Sequence, residues 1–222
     1  MSNPHSSAGR LLHGAELADA KLVVVAVHGR GHSPQYLVDN LIRPLEDGDH
    51  TREHASRGIA TSGIAWLLPA AHDNRWYPEG FMSPIADNEP WLGYSLQVLA
   101  DIERELTQPI VWAGFSQGAS LVTEFVARHR KEIPAGLLCL TGSVIGPPEA
   151  ASPVVGTLEG MPAYFSNSEN DEWVPLSRTE ATAAAFQDAG ADTELEIIKG
   201  REHVISAAEI ESIARFLRHI AG

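Results

Sequence analysis

Gly114-Phe115-Ser116-Gln117-Gly118 is a G-x-S-x-G pentapeptide set between the apolar run Ile110–Ala113 and a stretch from Gln117 with helical spacing of apolar residues. A serine between strand and helix sits on a sharp turn that lifts its hydroxyl clear of the sheet. Glycines on either side leave room for the neighbouring backbones. The helix start beneath it offers free amides and the positive end of a dipole, which suits a developing oxyanion. A serine hydroxyl is a weak nucleophile at neutral pH, so the chemistry requires a base and a group that orients the base.

Three histidines follow Ser116: His129, His203 and His219. His129 and His219 fall in the last turns of helical patterns, where a basic side chain complements the helix end. His203 lies in the loop Gly200-Arg201-Glu202-His203 between the last strand and the last helix, and is read as the base. The acid is expected between serine and histidine in chain order. The loop Asn167–Pro175 offers three carboxylates, Glu169, Asp171 and Glu172. Asp171 is preferred because Trp173-Val174-Pro175 forms an apolar anchor directly after it, with the other two as alternatives.

Two amides are needed for an oxyanion hole. Gln117 follows the nucleophile, and the loop His28-Gly29-Arg30-Gly31 after the first buried run supplies the second, with Arg30 as contributor. His28 is read as a structural histidine that bonds this loop. Trp76, Phe81, Met82 and Trp173 are candidate pocket walls. His28, His32 and His72 share no helical face and no H-E-x-x-H pattern accompanies them, so no metal is expected. Gly29-Arg30-Gly31 fails as a dinucleotide fingerprint because Pro34 stands at the third glycine position, and no P-loop is present. No cofactor is implied.

The elements that must position these groups alternate. Leu22–Val27 is continuous and β-branched, as in a strand buried on both faces. Helical spacing follows over Tyr36–Leu45, then a polar connector over Asp47–Gly63 and a second strand over Ile64–Leu68. Ala70–Pro90 is long, irregular and rich in aromatic residues, the pattern of an ordered functional loop. Pro90–Leu106 carries an apolar helical face at Leu92, Leu96, Leu99, Ile102 and Leu106. Strands at Ile110–Ala113, Gly136–Leu140, Met161–Ser166 and Thr193–Ile198 then alternate with helices at Gln117–Lys131, Leu176–Ala189 and Ser206–Ile220. Such alternation implies crossovers and a mostly parallel sheet covered on both faces. One α/β domain over residues 1–222 is expected, with 1–10 loose.

The chain has 222 residues, 44% hydrophobic and 20% charged, enough to bury a core. Its formal net charge of −13 argues against nucleic-acid partners, which select a concentrated basic face, and against docking on anionic membranes. The one basic cluster, Arg128-His129-Arg130-Lys131, is read as complementing a helix end. Cys139 is read as a small buried hydrophobe. Neither a secretory signal nor a bilayer-long apolar run is visible, so no stable membrane insertion and a cytoplasmic location are expected.

Four segments resemble the α/β-hydrolase superfamily and, within it, the phospholipase/carboxylesterase family of bacterial carboxylesterases and acyl-protein thioesterases. They are Val27-His28-Gly29-Arg30-Gly31, Gly114-Phe115-Ser116-Gln117-Gly118-Ala119, Asp171-Glu172-Trp173-Val174-Pro175 and Glu202-His203-Val204-Ile205. The resemblance spans almost the whole chain in the family's order. It implies an α/β-hydrolase fold without a large cap domain and a cofactor-free hydrolase of esters or thioesters. It further implies Ser116, Asp171 and His203 as triad, with Arg30 and Gln117 at the oxyanion hole. Small to medium carboxylic esters are the preferred substrates. A lactone or dienelactone hydrolase is the enzyme alternative, and a non-catalytic binding module on the same fold is the alternative from another class. A homodimer follows from fold analogy alone.

Overall fold

The computed structural model describes residues 3–48, 63–148 and 154–222. Its centre is a seven-stranded sheet in the order β1-β3-β2-β4-β5-β6-β7. The strands are β1 (Arg10–Gly14), β2 (Leu22–Val27), β3 (Ile64–Pro69), β4 (Ile110–Phe115), β5 (Gly136–Leu140), β6 (Pro162–Ser168) and β7 (Asp192–Ile198). All neighbours pair in parallel except β1, which runs antiparallel to β3 along the edge. The helices are α1 (residues 34–47, with a π-helical stretch at Val38–Ile42), α2 (Trp91–Glu105), α3 (Gln117–Arg128), α4 (Leu176–Asp188) and α5 (Ala207–Ala221).

Because side chains alternate across a strand, β2 divides its six buried residues between two cores. Val23, Val25 and Val27 pack with Leu99 and Ile102 of α2, Leu121 and Phe125 of α3, and Phe186 of α4. Leu22, Val24 and Ala26 pack with Leu37, Leu41 and Ile42 of α1 and with Ile213 and Leu217 of α5. The sheet is therefore covered on both faces, which is why its central strands are uniformly apolar rather than alternating. Cys139 in β5 is fully buried, and burial pushes its thiol up to about 12. At the end of α3, Arg128 pairs with Glu124 and Arg130 donates to the carbonyls of Val126 and Ala127, so the basic cluster serves the helix terminus. No helix among the described residues is long and apolar enough to cross a membrane.

At the amino-terminal end, which the sequence suggests is loose, Pro4–Ser7 form a 3-10 turn, His5 is buried, and the Asn3 side-chain amide donates to Tyr94 O at 2.8 Å. Arg10 already belongs to β1, whose burial alternates although the residues Arg-Leu-Leu-His-Gly do not, so the strand carries little signal in the sequence. Residues 49–62 of the polar connector read at Asp47–Gly63 lie outside the described residues. Elsewhere the strands and helices fall within a few residues of their expected limits.

The loops after β2, β4, β6 and β7 leave the carboxyl edge of the sheet on one side. This is where ligands bind in open parallel sheets.

Candidate active site

Ser116 joins β4 to α3 at φ 55° and ψ −118°, a left-handed conformation costly for a side-chain-bearing residue. Its amide is held by Leu140 O at 3.0 Å. The flanking glycines are required by contact. A Cβ on Gly114 would stand 2.5 Å from the backbone of Gly118, and one on Gly118 would stand 2.1 Å from Val27 O. The serine is thus presented at the edge of the sheet by two backbones that approach each other more closely than any side chain permits.

His203, in the loop between β7 and α5, places Nε2 2.8 Å from Ser116 Oγ. Its Nδ1 lies 2.8 Å from Asp171 Oδ2 and 3.0 Å from Oδ1. Asp171 Oδ1 also accepts from the amides of Val174 at 2.9 Å and Trp173 at 3.0 Å. Burial raises the Asp171 carboxyl, but the His203 hydrogen bond and these two amides outweigh it and hold the group below the usual carboxylate range. That carboxylate favours the fold above the pH where an unfolded aspartate titrates, and the contribution is lost as pH falls through its own lower value. Of the three carboxylates in this loop, Asp171 meets the histidine; Glu172 lines the neighbouring cavity and Glu169 is exposed.

Arg30 and Gln117 flank the serine. The Arg30 amide takes no backbone partner among the described residues, and the Gln117 amide opens α3, where no preceding carbonyl can reach it. Their side chains do something the sequence did not suggest. Arg30 donates to Pro78 O at 2.7 Å, Tyr77 O at 3.1 Å and Glu79 O. Gln117 accepts from Trp76 N at 3.1 Å and donates to Tyr77 O at 2.8 Å. Both residues therefore hold the aromatic loop against the turn that carries Ser116.

His28 is fully buried. Its Nε2 accepts from Ala71 N at 3.1 Å while Nδ1 lies 2.8 Å from Gly29 O, so the bonding fits one neutral tautomer. Burial, with smaller contributions from the charges of His32 and His5, lowers it to about 4 against the upward pull of the Gly29 carbonyl. The unfolded chain binds a proton here near pH 6.5 and the folded chain only near 4, so stability drains away as pH falls across that window. His28 alone is expected to cost the fold about 3 kcal/mol by pH 4. Urea midpoints at pH 7 and pH 4.5 for the wild type and His28→Gln test this. The variant should lose less stability between the two pH values, and equal losses would refute the assignment.

A cavity of about 650 Å³ opens beside Ser116, lined by Tyr77, Phe81, Met82, Trp173 and Val174 among others. Three of the four expected walls, Phe81, Met82 and Trp173, are present. Trp76 is not: it is fully buried in the core, and its indole N–H donates to His28 O at 2.9 Å. A tryptophan flanked by loop residues looks like a pocket wall until its partner, 48 residues away, is known. The lining also holds residues that were not expected there, Tyr77 and His32 among them. Tyr77 is a buried part of the lining, and His32 stacks on Tyr36 with ring centroids 3.8 Å apart. Among the described residues no group of three or more His, Cys, Asp or Glu could hold a metal ion.

A mostly parallel sheet, a serine on a strained strand-to-helix turn, and an imidazole and carboxylate delivered from the last two strand ends define an α/β-hydrolase. The chain belongs to the phospholipase/carboxylesterase family, whose profile matches residues 97–221. Among solved structures, a phospholipase/carboxylesterase from Dyadobacter fermentans is 28% identical, with a TM-score of 0.81 over 96% of this chain and 97% of that one. Esterase PE8 is 22% identical, with a TM-score of 0.74 over 95% and 97%, and a Bacillus cereus carboxylesterase is 17% identical, with 0.70 over 97% of each chain. The last two share the fold. A search of curated proteins finds no match.

Proposed function

We propose that this protein is a serine esterase that cleaves neutral carboxylic esters of small to medium size through an acyl-enzyme on Ser116. The observation that carries the reading is the continuous hydrogen-bond chain from Ser116 Oγ through His203 to Asp171, opening onto an apolar cavity. In the first half-reaction His203 Nε2 takes the hydroxyl proton as Oγ attacks the ester carbonyl. Asp171 keeps the Nδ1 proton directed and supports the imidazolium. The oxyanion is received by the amides of Arg30 and Gln117, each such donor being worth about 2.7–4 kcal/mol of barrier. The alcohol leaves with the proton from Nε2. Water then enters by the same route, His203 taking its proton, and the carboxylic acid is released with Ser116 regenerated.

The preference for an uncharged acyl group rests on how the cavity's charges are used. The guanidinium of Arg30, the one arginine in the lining, faces three carbonyls of the aromatic loop. Glu172 at the rim repels anions. The same contacts make Arg30 a clamp on the wall. Arg30→Met is expected to lower kcat/KM for a butyrate ester about tenfold, equivalent to about 1.4 kcal/mol lost at the transition state. A kinetic comparison with the wild type checks it, and an unchanged kcat/KM would remove the clamp from the account.

The function itself is tested by intact mass after treatment with a fluorophosphonate, followed by peptide mapping. One adduct, on Ser116, together with turnover of p-nitrophenyl butyrate, is the expected result. No adduct on folded protein, or an adduct on another residue, overturns the proposal and favours a binding role. Assays of the matching thioester and lactone then define the range.

A further inference from the structure

Beneath His203 lies a buried polar cluster that hydrolysis as described above does not use. The side chains of Arg201 and Glu209 are 2% and 0% exposed, a costly place for two charges unless the geometry around them is closed. It is closed. Arg201 donates to Thr141 Oγ1 at 2.6 Å and to the carbonyl of Val204, and its Nε stands 3.7 Å from Glu209 Oε2. Glu209 Oε1 accepts from Ser166 Oγ at 2.6 Å, and Oε2 accepts from the amide of Ser206 at 2.7 Å and its hydroxyl at 2.8 Å.

The connectivity of this cluster is what gives it consequence. Arg201 precedes His203, while Val204 and Ser206 follow it, so the ion pair grips the chain on both sides of the imidazole. Its other contacts are strand ends. Thr141 directly follows β5, whose last carbonyl, Leu140 O, holds the amide of Ser116. Ser166 lies in β6, which runs on into the loop of Asp171, and Ser166 O accepts from Thr141 N at 2.8 Å. Thr141 itself sits at φ +57°, a strained conformation for a β-branched residue and one that persists only where surroundings enforce it. The loop carrying the imidazole is thereby referenced to β6, which leads into the Asp171 loop, and to the end of β5, whose carbonyl holds the Ser116 amide.

We propose that Arg201 and Glu209 are positioning residues that set the reach of His203 to Ser116. This rests on the esterase reading, and the test separates the two. The labelling rate with a fluorophosphonate, the final labelled fraction, and kcat and KM for p-nitrophenyl butyrate are measured for the wild type, Arg201→Met, Arg201→Lys, Glu209→Gln and Thr141→Val, with folding checked by near-ultraviolet circular dichroism. Arg201→Met should label to completion but roughly 100-fold more slowly, with kcat falling in parallel and KM unchanged, as expected for about 1 Å of misplacement. Arg201→Lys should recover part of the rate. Thr141→Val, which removes only one acceptor of the guanidinium, should slow labelling by roughly tenfold.

A merely structural pair would instead give fewer labelled molecules reacting at the wild-type rate, and that result overturns the proposal. If Arg201→Met does not fold, Glu209→Gln and Thr141→Val decide, and wild-type rates in both overturn it. A wild type that does not label brings down the esterase reading and this inference with it.

Discussion

Asp171→Asn is expected to lower kcat for ester hydrolysis by about 10⁴-fold while leaving the fold and KM nearly unchanged. The size of the effect comes from a tautomer rather than from lost charge alone. Asp171 Oδ1 is already fixed by the amides of Trp173 and Val174, at 3.0 and 2.9 Å. An asparagine in this place must keep its carbonyl oxygen on those two donors. Its NH₂ then occupies the position of Oδ2, 2.8 Å from His203 Nδ1, and donates there. Nδ1 becomes the acceptor and the ring proton moves to Nε2, which faces Ser116 Oγ at 2.8 Å. A protonated Nε2 cannot take the serine proton. Steady-state kinetics on p-nitrophenyl butyrate at saturating substrate provide the check, and a loss smaller than tenfold would show that Asp171 does not orient the base.

Gly118→Ala is expected to destabilise the protein by about 3–5 kcal/mol, the upper end of what single substitutions do, because the added methyl has nowhere to go. Its Cβ would lie 2.1 Å from Val27 O and 2.6 Å from His28 O, both backbone atoms at the end of β2. Backbone cannot rotate aside as a side chain can. Either α3 withdraws from the sheet, opening the core beneath Leu121 and Phe125, or the end of β2 shifts and takes the Arg30 amide with it. Thermal melts should show a fall in Tm of roughly 10 °C, at about 2–4 °C per kcal/mol for a chain of this size. Gly80→Ala serves as the control, since a Cβ there meets only Ser83 Oγ at 3.8 Å. Comparable losses from both would mean that the close approach at Gly118 is not what demands a glycine.

The parts of the site that could be read in advance are those whose physics is local. G-x-S-x-G specifies a strand, a strained turn and a helix within five residues, and the glycines are demanded by neighbours that the motif itself brings together. Chain order then singles out His203, because the other two histidines after Ser116 sit at helix ends. Asp171 was harder. Glu169, Asp171 and Glu172 share one loop, and only its path over Val174 decides which carboxylate turns toward the imidazole. The mostly parallel sheet was equally legible, because strands buried on both faces must be continuously apolar. β1 was not, since an edge strand of five residues with one face exposed carries neither a long run nor a clear period.

Amino-acid sequence alone thus singled out Ser116, His203 and the order of the strands and helices other than β1, all through residue type and near-neighbour spacing. Tertiary structure decided how side chains far apart in sequence are spent. Arg30 could have faced a substrate, yet it is committed to carbonyls 47 to 49 residues away. Trp76 could have lined the pocket, yet its indole is bonded into the core. Arg201 reaches Thr141 across 60 residues to anchor the loop of His203. A hydrogen bond depends on a few tenths of an ångström and a direction, and those are fixed only when distant strands have packed.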